Sequence, residues 1–224
     1  FDTTSYKELI HINIKHNEGY FEFFIPKDRV ASSSARIFAL WITIPALLMI
    51  TIAIIFLKNQ TRPITDRVKE NLFNIIGADI QSSNFLDAFS GTGSVGIEAY
   101  SRGANFVAFI EKNRTAFLVL DKNLIHIKDT IAYDLRLGDA YSYLKTIQKL
   151  SFDYIFIAPP QYKQMWEKAL ILLDKNSKLL KLDGWLIIQI DPIEYKKIEL
   201  QSFEEFNQRK YGSTLLVFFR STNS

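Results

Sequence analysis

The chain has 224 residues with a formal net charge of +3, and 48% of its residues are hydrophobic. This length suits one full-sized domain with a smaller piece, and the apolar content is sufficient for a packed core and argues against disorder. The chain has no cysteine, which excludes disulfides, thiolate metal sites and cysteine nucleophiles. Its three histidines are scattered along the sequence, so we expect no metal site.

Residues 1–36 are predicted to form a small extracytoplasmic β segment. Residues 11–15 alternate between polar and apolar side chains, a turn signal follows at 17–19, and residues 20–25 are rich in aromatic side chains. Pro26 and the charged residues after it end this segment.

A long uncharged run then extends from Ile37 to Leu57. As a helix, about 21 residues would extend roughly 31 Å, which is enough to cross the hydrocarbon core of a membrane. A buried helix of a soluble protein would normally show a polar face, and this run shows none. Arg36 and Lys58 bracket it. We therefore predict a transmembrane helix over residues 37–57.

The third predicted domain comprises residues 58–224, in which helices and strands alternate. This alternation predicts an α/β fold with a mostly parallel sheet of seven strands that ends in an antiparallel hairpin. Asp66 is the expected N-cap of the first helix. The predicted helices are 67–76, 94–101, 113–125 and 165–173; the predicted strands are 84–89, 105–110, one ending near 138–140, 152–157, 185–190, 198–206 and 213–219.

A glycine-rich loop joins the first strand of this domain to the next helix. Glycines at 91, 93 and 96 allow a tight turn, close approach of the backbone to a ligand, and packing of the helix on the strand. A purely structural turn could use the same glycines, but the position between strand and helix favours a nucleotide-like cofactor. Asp87 precedes the loop, where it would attract an ammonium group and repel a pyrophosphate. This favours an amino-acid-bearing methyl donor over a dinucleotide.

Two more carboxylates, Glu111 and Asp139, follow the next two strands. Glu111 is placed to accept hydrogen bonds from ribose hydroxyls, and Asp139 could receive an adenine amino group. Each alone is more often a solvated loop carboxylate. Together with Asp87 at successive strand ends, they predict a cofactor pocket that also includes Phe89 and Ala140.

The strand over 152–157 runs into Ala158, Pro159, Pro160, Gln161 and Tyr162. Prolines stiffen the backbone and have no N–H, so nearby carbonyl groups can point at a ligand. Tyr162 would add an aromatic platform, and the combination suits the exocyclic amine of a base. The alternative is a strand that simply terminates at two prolines. We predict Ala158, Pro159, Pro160 and Tyr162 to be the catalytic corner.

Two resemblances divide the chain. Residues 1–6, 25–30 and 55–64 resemble osmosensor-type histidine kinases, from the end of the periplasmic sensor region through the second membrane helix to the start of the HAMP linker. The phospho-acceptor helix and the ATP-binding boxes of a kinase do not follow. This resemblance therefore implies no kinase activity.

The segments 62–74, 86–99, 101–104 and 152–157 look like the RsmD family, small-subunit rRNA guanine N2 methyltransferases. The resemblance covers about residues 62–220. It implies a class I, Rossmann-like fold, S-adenosylmethionine as methyl donor, and 16S rRNA in the assembling small ribosomal subunit as substrate. It also implies that residues 87–96 hold the methionine portion, Glu111 the ribose and Asp139 the adenine. Residues on the cofactor or RNA side would be Arg62, Thr65 and Arg67.

The catalytic corner departs from the family motif, which usually has Asn or Asp before the two prolines and an aromatic residue directly after them. Here Ala158 takes the first position and Gln161 is inserted before Tyr162. Backbone carbonyls of Ala158 and Pro159 remain as acceptors, and Gln161 would substitute in part. The predicted membrane helix also replaces a short basic β segment that helps relatives to grip RNA.

These features leave three readings open. In the first, an rRNA methyltransferase has its catalytic domain in the cytoplasm, where its cofactor is found, anchored by residues 37–57 in the inner membrane. In the second, the enzyme methylates an adenine, a protein glutamine or a small molecule. In the third, the chain is a non-catalytic, membrane-anchored fusion remnant of a sensor histidine kinase.

Overall fold

A computed structural model describes residues 9–16, 19–26, 41–51, 64–125, 132–146, 151–161 and 164–222. The chain divides into two compact units, Phe1–Lys58 and Asn59–Ser224. Each unit has its own strands.

In the first unit, two strands form an antiparallel hairpin, β1 (Leu9–His16) and β2 (Gly19–Pro26). His11 lies opposite Phe24, and their rings stack with centroids 4.5 Å apart. The His11 Nε2 atom is 3.5 Å from the Glu22 carboxylate. The strands predicted at 11–15 and 20–25 fall within β1 and β2, whereas turn residues 17 and 18 lie outside the described residues.

Residues 41–51 of the first unit are helical and exposed, and the Trp41 side chain is 76% exposed. About 11 helical residues extend only roughly 16 Å, half of a hydrocarbon core. The remaining parts of the predicted transmembrane helix, 37–40 and 52–57, lie outside the described residues. In the part of the chain that the structure describes, no helix is long and apolar enough to cross a membrane. The structure therefore does not show the predicted transmembrane helix or the kinase-like segment.

The second unit is built on a mixed seven-stranded sheet. Its strand order is β5-β4-β3-β6-β7-β9-β8. The first five strands in this order are parallel, whereas β9 runs antiparallel to both β7 and β8. This confirms the predicted sheet with its C-terminal hairpin. The strands are β3 (Asn84–Asp87), β4 (Phe106–Glu111), β5 (Ala132–Leu137), β6 (Phe152–Ile157), β7 (Leu180–Ile190), β8 (Phe203–Tyr211) and β9 (Thr214–Ser221).

Helices cover both faces of this sheet, so the unit has three layers. On one face, residues of α1, α2 and α3 form an apolar layer with Phe85, Phe109 and Phe218. On the other face, residues of α4 and α5 pack with Ile155 and Ile188. The helices are α1 (Asp66–Ile76), α2 (Ser94–Ser101), α3 (Arg114–Ile125), α4 (Ala140–Thr146) and α5 (Met165–Lys175), with short 3-10 turns at Gly77–Ile80, Ser177–Leu179 and Pro192–Glu194.

The start of α1 differs by one residue from its prediction. Thr65, rather than Asp66, is the N-cap: its backbone is extended, and its carbonyl accepts hydrogen bonds from Val68 and Lys69 at 2.9 and 3.0 Å. Buried apolar residues then recur on one face of the helix, including Val68 and Leu72. The helix ends at Gly77, whose φ of +68° few other residues adopt.

Two further predictions need correction, and one helix was missed. The strand predicted at 84–89 ends at Asp87, because Ala88 and Phe89 already turn into the loop. The strand predicted at 198–206 is β8. It begins at Phe203, the first residue that pairs with β9, and the pairing continues to the hairpin turn at Gly212. The sequence prediction also missed α4, since seven residues are too few to show a helical period.

Candidate active site

The centre of the candidate site is Asp87, the last residue of β3, whose side chain is only 2% exposed. The Gly96 N–H at the start of α2 donates a hydrogen bond to Asp87 Oδ2 at 3.1 Å. Burial raises the pKa of Asp87 from 3.8 to about 7; the hydrogen bond from Gly96 opposes this rise, and the nearby Glu111 charge adds to it. A cationic ligand group beside Asp87 would favour its ionised form.

Ser90 joins the glycine loop to both neighbouring strands. Its hydroxyl donates to the Asp87 carbonyl at 2.7 Å and accepts from the Ile110 N–H at 3.0 Å. The Ser90 N–H in turn donates to the Ile110 carbonyl at 3.0 Å. The loop is therefore fixed to the ends of β3 and β4. Sequence reasoning did not single out Ser90, although it lies inside the glycine motif.

Glycine is required in this loop for two different structural reasons, backbone conformation and close packing. Gly91 and Gly93 have φ values of +55° and +84°, which favour glycine. A Cβ atom on Gly91 would meet nothing within 4 Å, so the backbone there borders open space. A Cβ atom on Gly96 would lie 2.2 Å from the Phe109 ring, so glycine is needed for α2 to pack on β4.

Glu111, the last residue of β4, holds the loop from the other side. Its Oε2 accepts the Gly91 N–H at 2.8 Å, and its Oε1 accepts the Asn113 N–H. Each carboxylate oxygen has a further lone pair, so the group can still accept hydrogen bonds from ligand hydroxyls.

Asp139 is the N-cap of α4, a structural role that the sequence prediction missed. Its Oδ1 accepts the Ser142 N–H at 3.1 Å, and its Oδ2 lies 3.1 Å from Lys112 Nζ. Partial desolvation alone would raise the pKa of Asp139, but the hydrogen bonds from Lys112 and Ser142 and the Lys112 charge bring it below its ordinary value. Ala140, the next residue, is buried in the apolar layer beneath α4.

Aromatic side chains lie next to these carboxylates. Phe89 and Tyr141 meet edge to face with centroids 5.8 Å apart, and Lys168 Nζ lies 4.3 Å from the Tyr141 ring centroid. The Tyr141 hydroxyl donates to the Met165 carbonyl at 3.0 Å. Burial, together with the charge of Asp139, raises the pKa of Tyr141 to about 12, so this hydroxyl stays protonated. Its position directly after Asp139-Ala140 was the signal that could have identified Tyr141.

The predicted catalytic corner directly follows β6. Asp87 pairs with Phe156 across β3 and β6, so Ala158 lies two residues beyond the level of Asp87, on the same face of the sheet. Ala158, Pro160 and Gln161 are half-buried, and Pro159 is buried. Tyr162 lies outside the described residues.

The structure describes only some of the residues predicted to lie on the RNA side. Thr65 and Arg67 are exposed at the start of α1, whereas Arg62 lies outside the described residues. Lys69 ties α1 to the start of α2, because its Nζ lies 3.3 Å from Ser94 Oγ and 3.5 Å from the Glu98 carboxylate. Sequence reasoning missed Lys69, and it also missed Gln189, a buried polar residue within the apolar run of β7.

The structure thus brings Asp87, the glycine loop, Glu111 and Asp139 together at one edge of the sheet. In the ranges that the structure covers, no group of three or more His, Asp or Glu side chains is arranged to hold a metal ion. The arrangement offers carboxylates to an ammonium, to hydroxyls and to an amino group, which matches an amino-acid-bearing nucleoside.

Known proteins are similar to this chain in sequence and in fold. The chain is 36% identical over 134 residues to YlbH of Bacillus subtilis, named as a candidate rRNA methyltransferase, covering 59% of this chain and 72% of that protein. It is 35% identical over 130 residues to Ribosomal RNA small subunit methyltransferase D of Buchnera aphidicola, covering 57% of this chain and 66% of that protein. The chain therefore spans about two thirds of the length of these curated relatives.

A solved Escherichia coli structure, yhhF, named as a candidate methyltransferase, superposes with a TM-score of 0.64 and 26% identity, covering 74% of this chain and 91% of that chain. Together with the strand order, this confirms the predicted class I methyltransferase-like fold. The model of one protein family matches residues 53–220, which include the glycine loop and all three carboxylates. The chain therefore belongs to the family described as Conserved hypothetical protein 95.

Proposed function

We propose that the second unit of this chain transfers a methyl group from S-adenosylmethionine to the exocyclic N2 of a guanine in 16S rRNA of the small ribosomal subunit. The observation that carries this proposal is the buried Asp87 carboxylate, joined to Gly96 at the C-terminal edge of β3. Relatives that are named as small-subunit rRNA methyltransferases support the choice of RNA as substrate.

The residues of the site fit the cofactor part by part. Asp87 would meet the ammonium of the methionine portion, because burial of its carboxylate without a counter-ion is unfavourable and a cation offsets this. The open space at Gly91 leaves room for the ligand. Glu111 would accept from the ribose hydroxyls and Asp139 from the adenine amine, with Phe89 and Ala140 flanking them.

When bound, the cofactor supplies an electrophilic methyl group on a sulfonium sulfur. The task of the protein is then to hold the target amine in line with that methyl group, and positioning of this kind can supply most of the rate. Backbone carbonyls of Ala158 and Pro159 would accept the N–H bonds of the amine. Tyr162 would stack on the target base after that base has flipped out of the RNA stack, with Gln161 beside it.

The exposed start of α1 is the proposed RNA side. Thr65 and Arg67 are exposed there, and Arg62 precedes them in the sequence. Phosphate groups of RNA are bound mainly by such basic side chains and by backbone N–H groups at helix starts. Lys69 would keep this surface in a fixed position relative to the cofactor loop, because it joins α1 to α2.

The decisive experiment offers labelled S-adenosylmethionine to the full chain with small ribosomal subunits from cells that lack the modification. Duplex DNA and a protein mixture serve as competing substrates. We expect label in 16S rRNA and N2-methylguanosine after digestion. Label in N6-methyladenosine, protein glutamine or a small molecule would instead support the second reading, and cofactor binding without transfer to any acceptor would support the non-catalytic one.

The position of the reaction is tested separately with Ala158→Asp and Tyr162→Ala. We expect both substitutions to change the rate of methyl transfer to small subunits at saturating cofactor. Unchanged rates for both variants would show that the corner after β6 is not where the base reacts.

We also propose that residues 37–57 anchor the chain in the inner membrane, with the catalytic unit in the cytoplasm, where its cofactor is found. The uncharged sequence and the exposed apolar side chains of helical residues 41–51 support this. Alkaline extraction of cell membranes tests it: we expect the full chain to stay in the membrane fraction and a Leu47→Lys, Ile50→Lys variant to be released. Release of both chains would contradict the anchor.

A further inference from the structure

Gln189 is a polar residue in an apolar setting near the C-terminal end of β7. Its side chain is only 5% exposed, and its neighbours Ile187, Ile188 and Ile190 are all buried. The Oε1 atom of Gln189 has no hydrogen-bond partner among the described residues. A buried amide oxygen without a partner lowers the stability of a fold, so its presence calls for a physical reason.

The strand register places Gln189 beside the predicted catalytic corner. Ile188 pairs with Ile157 across β7 and β6, so Gln189 stands one residue beyond, level with Ala158. Adjacent strands lie roughly 4.8 Å apart. The register, continued one residue past its last pair, places residues 189 and 158 next to each other at this end of the sheet.

Both side chains also share one face of the sheet. Ile187, two residues before Gln189, lies in the apolar layer that contains Phe156 and Ala158. Because side chains alternate along a strand, Gln189 points to that same face. Leu216, which pairs with Gln189 from β9, belongs to this layer as well.

Other buried polar atoms without partners are placed differently. Tyr143 Oη and Trp166 Nε1 also lack partners among the described residues, but both side chains lie in the opposite layer, beneath α4 and α5. Gln189 differs in two respects: its unpartnered atom is a strong acceptor, and it lies on the face that carries Asp87 and the glycine loop.

We infer that Gln189 Oε1 accepts a hydrogen bond from the exocyclic amine of the target base, and so supplies the side-chain acceptor that Ala158 cannot provide. This inference rests on the proposed methyl transfer to a base amine. Gln189 Oε1 on β7 would then take the place of the Pro159 carbonyl as the second acceptor. The two N–H bonds of the amine would be directed to Gln189 Oε1 and to the carbonyl of Ala158, directly after β6, which orients the nitrogen lone pair toward the methyl group. The N–C bond forms as the S–C bond breaks with its electrons passing to sulfur, and the displaced proton passes to solvent, since an amide oxygen does not retain it.

Two acceptors side by side also select the chemical class of the base. An amino group donates to both, whereas a keto oxygen in its place would face two oxygens and be repelled. Gln189 is thus proposed as a specificity-determining residue that favours an amine over a carbonyl.

The test compares Gln189→Met, which keeps the length but removes the acceptor, with the exposed matched control Gln201→Met. At saturating cofactor, we expect Gln189→Met to lower kcat on small subunits roughly tenfold, the effect of one lost hydrogen bond. Cofactor affinity should stay unchanged. Because the substitution removes an unpartnered buried oxygen, we expect the Tm of the free protein to rise by roughly 2–4 °C. Gln201→Met should leave both kcat and the Tm unchanged.

A second variant distinguishes an acceptor from a packing residue. Gln189→Glu keeps an oxygen in place, and its ionised form is the stronger acceptor. We therefore expect kcat of this variant to increase with pH at saturating cofactor and to approach that of the parent chain. A Gln189→Met variant with lowered Tm and unchanged kcat would overturn the inference. If the parent chain methylates no base amine, the proposed function fails instead, while the Tm comparison still reports whether the Gln189 oxygen lacks a partner.

Discussion

On the proposed cofactor side of the site, polar side chains form hydrogen bonds with the chain's own backbone: Asp87 with Gly96, and Ser90 with Ile110. On the base side, Ala158 offers no side-chain acceptor and Gln189 Oε1 has no partner among the described residues. The protein thus fixes the proposed cofactor side with its own hydrogen bonds, whereas the proposed base side holds a buried acceptor that the described residues leave without a partner. Substitutions on the cofactor side should therefore alter cofactor binding or stability, and substitutions on the base side should alter turnover.

The largest effect is expected for Asp87→Asn. Removal of the charge should weaken S-adenosylmethionine binding about 100-fold, since a buried charge-assisted hydrogen bond to the ammonium is lost. Isothermal titration calorimetry measures this directly. The control is Asp183→Asn, at the exposed start of β7, which should bind like the parent chain.

The same two variants check whether Asp87 acts through its charge. At pH 8, Asp87→Asn should raise the Tm of the free protein, because the buried carboxylate is ionised there without a counter-ion. Equal cofactor affinity in both variants would contradict the assignment of Asp87 and remove the proposed difference between the two sides.

A Gly96→Ala substitution should have the next largest effect, now on stability. The new Cβ would lie 2.2 Å from the Phe109 ring, so α2 or β4 must shift. We expect the free energy of unfolding in urea to fall by about 1–3 kcal/mol, as for other overpacked cores. Gly138→Ala is the matched control, because its Cβ would meet nothing within 4 Å. Equal stability of the two variants would show that α2 does not need close contact with β4.

Cofactor affinity should also depend on pH. The pKa of Asp87 is raised to about 7 in the free protein, and a cationic ligand binds its ionised form. The association constant should therefore increase about tenfold per pH unit up to pH about 7 and level off above it. Stability of the free protein changes in the opposite sense: the free energy of unfolding falls as pH rises from 3.8 to about 7, because the folded state binds the proton more tightly.

This pH prediction has its own internal control. Asp87→Asn should remove most of the dependence of cofactor affinity on pH between 5 and 8. If the dependence persists in that variant, another group controls it, and the difference between the two sides does not originate at Asp87.

Local sequence patterns were sufficient to predict the strand, the turn and the helix start around the glycine loop. Asp87 and glycines 91, 93 and 96 are close in sequence, and their spacing alone specifies a strand, a turn and a helix start. The cap that Asp139 provides was missed because α4 is short. The proximity of Gln189 and Ala158 could not be predicted, since it depends on the register of two strands that are far apart in the sequence. The membrane helix remains a prediction from residues 37–57.

The hydrogen bond from the Gly91 N–H to Glu111 has a consequence for the thermodynamics of ligand association. Since this bond and the Ser90 contacts already fix the loop in the free protein, most of its conformational entropy is lost during folding. Little ordering then remains for the binding step. Cofactor association should accordingly be fast, with a heat-capacity change that reflects only the apolar surface covered by the ligand.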